Sequence, residues 1–358
     1  MAFFTQRKSD SAERGLPRGI GLRRGTAEDE FATFGVMSRA MNYDMHWPHH
    51  AAMRHHLRNS PQTSFWLAEE TPRFGGPKIV GYARSAVREG VWSLTEFFVL
   101  PDYHRRGLGK ALLTRCLEDG DEAGAHTRLV LASPSASADA LYIRYGGCFP
   151  RLPMLLLAGS LDSLYSLESE AEPAIVETAP SPAAFLPDTQ TPPLGALTAE
   201  PLLLTPELQA CFDTLDRETI GFARPYEHAH WADAMGGPNG TARLFRRALP
   251  GASGPGPIVG YAYIGPNSSG PALALDPADL PRMIATIAAR MRDSLARSNS
   301  FERALLTDLY LAVPGTNEPV LRWLLDCGWR IVFQYLFMSS RPLGRLERYV
   351  CYNPLYVL

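Results

Sequence analysis

Lysine is nearly missing from this chain: of 35 basic residues only Lys8, Lys78 and Lys110 are lysines, a bias that codon composition explains more simply than physics does. Charge of one sign is missing too. The formal net charge is −2 and the pI about 6.5, so no basic excess draws the whole chain to nucleic acid or a membrane surface. No apolar run approaches the ~20 residues that cross a bilayer, and the longest, around Met154–Ala158, is short. The opening MAFFTQRKSDSAERG has no apolar core of signal-peptide length, which implies a cytoplasmic protein. Cysteine is sparse: 116, 148, 211, 327 and 351 are odd in number, scattered and without a Cys-x-x-Cys, which argues for reduced thiols and against a disulfide frame or zinc site. What remains is an ordinary globular composition, 46% apolar and 20% charged. At roughly 150 residues per domain, 358 residues suggest two domains.

Proline marks the boundary. Eight prolines fall between Pro173 and Pro206, and residues 166–198 read as an acidic, Pro-stiffened linker. Residues 1–17 read as a flexible start, 18–165 and 199–342 as two domains, and 343–358 as a tail. The domains echo each other: Ile79-Val-Gly-Tyr-Ala83 recurs as Ile258-Val-Gly-Tyr-Ala262, each after a Gly/Pro turn. Both continue with an amphipathic helix, a strand (128–132; 303–312), a second helix ending in Gly147-Cys-Phe149 or Gly328-Trp329, and a last strand (153–158; 331–338). This predicts a tandem duplication of one α/β unit. In the first copy Gly19–Arg24 reads as the opening strand, Thr26 and Asp29 as a helix start, and Pro48 as the start of a helix to about Asn59. Strands follow at Phe65–Glu69, Ile79–Val87 and Val91–Leu100, for a mixed sheet covered by helices.

The chemistry concentrates in Leu94-Thr-Glu-Phe-Phe-Val-Leu-Pro-Asp-Tyr-His-Arg-Arg-Gly-Leu-Gly-Lys-Ala-Leu-Leu. A strand feeds a tight loop at Pro101–Arg106 that opens straight into a helix. Gly107 and Gly109 remove side chains there and let a ligand approach the backbone. Unpaired N–H groups and the positive end of the helix dipole suit a pyrophosphate, and Arg105, Arg106 and Lys110 add charge. A third glycine at dinucleotide-fold spacing is absent, and Ala111 stands where a P-loop needs Ser or Thr. The other reading is a helix cap beside a solvated basic turn.

The run Val99-Leu-Pro-Asp-Tyr-His-Arg-Arg-Gly-Leu-Gly-Lys resembles motif A of the GNAT acyltransferases, Gln/Arg-x-x-Gly-x-Gly/Ala after a strand. Ser135-Ala-Ser-Ala-Asp-Ala-Leu-Tyr142-Ile-Arg-Tyr-Gly-Gly-Cys-Phe149 resembles motif B, with one extra Gly before the aromatic. His104 stands at the Gln/Arg position and Ser135 at the usual Asn. The resemblance covers about residues 18–160. It implies an α/β (α+β) fold of two tandem GNAT-like domains, each a mixed, mainly antiparallel sheet flanked by helices. It further implies acetyl-CoA as acyl donor. Phe97, Phe98 and Val99 would then offer main-chain groups to the pantetheine, and a strand N–H would face the acetyl carbonyl. His104, Arg105, Arg106, Gly107, Leu108, Gly109 and Lys110 would cradle the pyrophosphate, with Ser135 beside it. Tyr142 would be the general acid toward the departing thiolate, or else a core tyrosine with its hydroxyl at the rim. Glu96 would be the general base, directly or through water, or else a solvated strand carboxylate.

His46, His49, His50, His55 and His56 crowd one segment. No acidic or Cys ligand matches them at helical spacing, so no metal site is expected; the resemblance implies that this helix borders the acceptor groove, where they would be acceptor contacts or a proton relay. The second half resembles the same family more faintly. Asn317 is kept, Leu324 takes the Tyr position, and Pro277 and Pro281 sit where loop amides should donate. Its cofactor cradle is therefore expected to be impaired, with His228, His230 and Trp231 in core or surface roles. The expected activity is acetyl transfer to a primary amine, on a small molecule or peptide, by direct attack. The alternative is a non-catalytic acyl-CoA-binding or sensing protein.

Overall fold

A computed structural model describes residues 15–42, 54–164, 175–179, 196–238, 240–248, 255–265, 268–297 and 309–351. His46, His49, His50, the Pro48 helix start and most of the Pro-rich stretch lie outside them. The chain forms two compact units that do not follow chain order. One runs to Arg151 and takes in Leu336–Pro342; the other is Leu152–Tyr335 with Leu343–Pro354.

The first unit opens with β1 (Ile20–Arg24) and α1 (Glu30–Met41), preceded by a single 3-10 turn. Thr26 N donates to Asp29 Oδ2 at 2.8 Å, the reciprocal cap that the Thr-x-x-Asp spacing announces. Arg23 forks onto the same carboxylate at 2.8 Å and, against burial, holds it down at about 2. Residues 54–59 form a short helix, α2. Then come β2 (Thr63–Glu70), β3 (Lys78–Arg88) and β4 (Val91–Val99), an antiparallel meander beside β1. Helix α3 (Leu108–Glu122) returns the chain to β5 (Thr127–Ala132), which is parallel to β4. Helix α4 (Ala136–Leu141) runs into a π-helical turn, Tyr142–Gly146.

The strand beside β5 is not the next in sequence. Next comes β6 (Phe149–Gly159), but Leu129–Ala132 pair with Leu336–Ser339 near the chain's end. The second unit makes the reciprocal arrangement: Met154–Gly159 of β6 pair with its own Leu309–Pro314. Each half thus supplies its last long strand to the other unit. Two apolar runs of similar composition do not encode their own partners, so chain order gave no sign of the exchange.

The second unit continues with β7 (Val176–Glu177), β8 (Leu197–Pro201), α5 (Pro206–Thr219), α6 (Pro225–Met235), β9 (Arg243–Arg247), β10 (Ile258–Gly265) and β11 (Ser268–Ala274). There follow α7 (Leu280–Arg297), β12 (Leu309–Pro314), α8 (Glu318–Asp326), β13 (Arg330–Ser339, whose last residues join the first unit) and β14 (Tyr349–Val350). The repeated Ile-Val-Gly-Tyr-Ala lies on β3 and β10. A Cβ on Gly81 would come within 3.4 Å of Leu112 on α3, and one on Gly260 within 2.8 Å of Met283 on α7. At both positions a side chain would crowd the neighbouring strand as well as the helix above it. No helix among the described residues is long and apolar enough to cross a membrane.

Close packing also explains Gly120 on α3. A Cβ there would run into the ring of buried Trp92, whose indole N–H donates to Cys116 O at 2.9 Å. Gly120→Ala gains about 1 kcal/mol of helix propensity, while overpacking a core costs about 1–3 kcal/mol. The expected result is a lower urea midpoint; a midpoint raised by the propensity gain would show that Trp92 yields freely.

Candidate active site

The site begins where two strands part. Pairing of β3 with β4 runs Arg84–Glu96 and then Ser85–Leu94, which leaves Thr95 as an extra residue, a β-bulge. Pairing of β4 with β5 stops at the same point, its last partners being Leu94 and Val130. Beyond the bulge Glu96, Phe97, Phe98 and Val99 stay paired to β3, while the β5 side of the strand has no partner strand among the described residues. An unpaired strand edge presents N–H and C=O groups to whatever can pair with it.

The helix entry lies just past this edge. Leu100 N donates to Val80 O, and Pro101–Tyr103 form one 3-10 turn. Arg105 and Gly107 then take left-handed backbone conformations, φ +61° and +85°, of which only the second suits its residue without strain. The first helical bond of α3 is Ala111 N to Gly107 O at 3.0 Å. The N–H groups of Leu108, Gly109 and Lys110 precede it and have no intrahelical acceptor. Arg105 and Arg106 are exposed, Arg106 lies over the Tyr103 ring, and Lys110 lies 5.1 Å from the centre of Tyr145. Gly109 has a second reason to be glycine: a Cβ there would stand 3.2 Å from Phe97 Cζ and 3.3 Å from Leu141 Cδ1. His104 is exposed and folds back on its own strand, its N–H donating to Pro101 O and its Nε2 lying 2.9 Å from Val99 O. Both contacts are made within the loop and strand end.

Tyr142 sits at the start of the π-turn, buried, its ring 6.0 Å from that of Phe97 on β4. The turn absorbs the extra glycine of the second motif: Cys148 N reaches back to Tyr142 O at 3.0 Å, and Gly147 is left-handed. Burial, with Asp139 and Cys148 nearby, pushes the Tyr142 phenol well up, so it stays protonated through neutral pH. Ser135 caps α4, accepting from Ala138 N at 3.4 Å. Asp139, which the sequence did not single out, has its carboxyl pushed up by burial, and its Oδ1 has no hydrogen-bond partner.

Glu96 is not a solvated strand carboxylate. It is 1% exposed. Its Oε1 accepts from Arg54 Nη1 at 2.8 Å and Tyr82 Oη at 3.3 Å, and its Oε2 lies 3.0 Å from Arg84 Nε. Arg54 Nε and Arg84 Nη2 both reach Glu30 at 2.9 Å. Two guanidiniums and two carboxylates thus form a buried, charge-balanced quartet drawn from α1, α2, β3 and β4. Its members lie up to 66 residues apart in sequence, which is why the pattern hid them. His55 is exposed, with Arg58 and Asn59 against its ring, and His56 is buried. Among the described residues no group of three or more His, Cys, Asp or Glu could hold a metal ion.

The second unit has a corresponding cluster. Tyr261, the counterpart of Tyr82, donates to Asp216. Arg224 reaches Asp216 at 2.8 Å and Tyr349 Oη at 2.7 Å, and His228 lies 3.1 Å from Asp216 and from Tyr263 Oη. Against the push of burial, Arg224 and His228 hold Asp216 below the usual carboxylate range. All are fully buried, as is Trp231. Here β14 pairs with β11 at Ala272 and Leu273, and Cys351 bridges to Ala312 of β12. The chain's own strand therefore fills the place that stands open between β4 and β5. Asn317 tethers it, donating to Tyr349 O at 3.0 Å. At the helix entry Pro277 and Asp279 lie in a 3-10 turn, Asp276 takes the Ala278 N–H, and Asp279 pairs with Arg247.

Residues 33–146 match the family model of the acetyltransferase (GNAT) family. Three solved structures match along nearly their whole length. A putative acetyltransferase from Pyrococcus horikoshii is 14% identical, covering 93% of this chain and 94% of that one, with TM-score 0.59. A GCN5-related N-acetyltransferase from Sphaerobacter thermophilus is 15% identical, covering 92% and 98%, with TM-score 0.54. A tandem GNAT protein from the clavulanic acid biosynthesis pathway is 16% identical, covering 90% and 99%, with TM-score 0.51. At such identities the likeness is one of fold. A search of curated proteins finds no match.

The quartet makes a prediction. Glu96→Gln leaves Arg54 and Arg84 sharing one carboxylate inside the fold. Breaking a buried pair costs about 3–5 kcal/mol, so urea denaturation should show a loss of that order. A loss below about 1 kcal/mol would mean that Glu96 is free of structural duty.

Proposed function

We propose, from the GNAT-family domain that residues 33–146 form, that the first unit transfers an acetyl group from acetyl-CoA to a primary amine by direct attack in a ternary complex. One observation carries this reading: an open strand edge ends beside a glycine-entered helix whose first N–H groups are unpaired and flanked by Arg105, Arg106 and Lys110. That is a shape and a charge for an extended, amide-bearing arm with an anionic end. In this proposal main-chain groups of Phe97, Phe98 and Val99 pair with the pantetheine. The N–H groups of Arg105, Arg106, Gly107, Leu108, Gly109 and Lys110 receive the pyrophosphate. His104 braces the loop, because its own N–H and Nε2 are engaged within it. Ser135 is kept as a cofactor contact on the motif resemblance alone.

Tyr142 is proposed as the acid that protonates the departing thiolate, being a buried phenol kept neutral beside β4. Glu96 is proposed to hold Arg54 and Arg84 in place, and the amine's proton leaves through water. No described cysteine suits an acyl-enzyme, since all five are buried. One observation favours the second reading, a non-catalytic acyl-CoA-binding or sensing protein: the strand carboxylate best placed to act as base is locked between two guanidiniums. Amine-dependent release of CoA separates the two.

Lys110→Glu tests the cradle. A carboxylate in the first turn suits the helix dipole by about 0.3–1 kcal/mol, so thermal stability should hold or rise. Acetyl-CoA affinity by calorimetry should fall at least tenfold from one site per chain, about 1.4 kcal/mol. Unchanged affinity, or two equivalent sites in the wild type, contradicts the assignment.

Tyr142→Phe tests the acid. A positioned general acid contributes about 10²–10⁴-fold, so kcat should fall on that scale while the KM for acetyl-CoA stays within a few-fold. The raised phenol also predicts that no falling limb below about pH 10 disappears in the variant. A kcat within a few-fold of wild type would return Tyr142 to a packing role.

A further inference from the structure

A second recess lies on the same unit, at the end of β1. Its volume is about 210 Å³, and its described lining includes Arg24, Thr26, Ala27, Arg58, Phe65 and Arg84 but no acidic side chain. Three arginines meet there with different commitments. Arg24 forks onto Asp119 at 2.5 and 2.7 Å. Arg84 gives Nη2 to Glu30 and its Nε lies 3.0 Å from Glu96 Oε2, yet its Nη1 is buried without a hydrogen-bond partner, and the residue is 1% exposed. Arg58 donates to His55 and has no carboxylate partner among the described residues.

A buried donor left unpaired is costly, most of all when it carries charge. Arg84, which carries this donor, is part of the lining of a recess that also holds Arg58, a guanidinium with no carboxylate partner among the described residues. The 3-10 turn leading into α1 adds to this: Ala27 belongs to the lining, and its N–H precedes the first bond of the turn, Asp29 N to Thr26 O. The Phe65 ring lies 4.0 Å from the Arg84 guanidinium and makes one wall apolar. Low polarity on one side strengthens what the charged groups on the other can do. The volume suits one carboxylate or phosphate group with a few attached atoms, not a nucleotide.

We propose that this recess binds an oxyanion, a carboxylate or phosphate, received by Arg58, Arg84 and the Ala27 N–H. It has two possible sources: the acceptor amine's own acidic group, or a free anion. The first rests on the acetyltransferase reading; the second stands without it. Arg84 is at once a member of the quartet and a wall of the recess, so an occupant here touches the same side chain that Glu96 holds.

The variant for the test is Arg58→Gln, because Arg58 lies outside the quartet and its loss strands no buried charge. Unfolding temperature is first measured in inorganic phosphate against chloride at equal ionic strength. Phosphate should raise the wild-type midpoint by ~5 °C at saturation, and Arg58→Gln should lose most of that rise. Acetyl transfer is then compared for amino acids and their amides. If the anion belongs to the acceptor, the acid-to-amide ratio of KM should rise about tenfold in Arg58→Gln. Phosphate stabilisation with an unmoved ratio, or with no turnover on any amine, supports a free-anion site; absent turnover then counts against the acetyltransferase reading alone. Equal midpoints in phosphate and chloride, together with an unmoved KM ratio, overturn the proposal.

Discussion

One extra residue in one strand organises the first unit. Thr95 is unmatched on β3, its hydroxyl donates to Arg84 O at 3.1 Å, and from that point β4 no longer follows β5. Each later feature depends on that parting. Phe97 turns its ring to Tyr142 and bears on Gly109, so strand, π-turn and helix entry meet at one ring. The bulge also sets Glu96 opposite Arg84, which fixes the buried quartet immediately beside the open edge. A strand that stayed paired along its length would leave neither an edge to pair with nor room for the loop.

The second unit shows the same plan carried to a different end. A glycine on the repeated strand receives the helix, and the tyrosine after it enters a buried polar cluster, in both copies. The copies diverge where the strands part. In one the gap is open and basic; in the other β14 closes it, and proline with aspartate replaces arginine and glycine at the helix entry. Tyr349 ties this closure to the cluster itself, through Arg224. A cavity filled by covalently attached chain has no ordering cost left for a ligand to offset.

What was legible in the sequence was local. The Thr26–Asp29 cap, the four opening strands and the glycine-entered helix follow from spacing that a few neighbouring residues enforce, and all stand in the structure. The duplication was legible because an identical pentapeptide marks it. The quartet was not, because an ion pair between α2 and β4 leaves no periodic trace, and Glu96 read equally well as a surface carboxylate. The extra glycine before Phe149 read as a departure from its motif, whereas backbone hydrogen bonding turns it into a π-turn that keeps Tyr142 in place. Least legible was the exchange of β6 and β13. Hydrophobic alternation tells a strand which face to bury, not which neighbour to choose.

That exchange bears on how the protein is made. Chains are synthesised at about 5–20 residues per second and domains tend to fold as they emerge, the first ones first. Here the first unit lacks the strand beside β5 until Leu336–Ser339 have been added. For most of synthesis β5 waits with a bare edge, and the nearest strand to reach it is β6, the one it must refuse. The first-made half therefore cannot finish folding until a strand from far along the chain has been made.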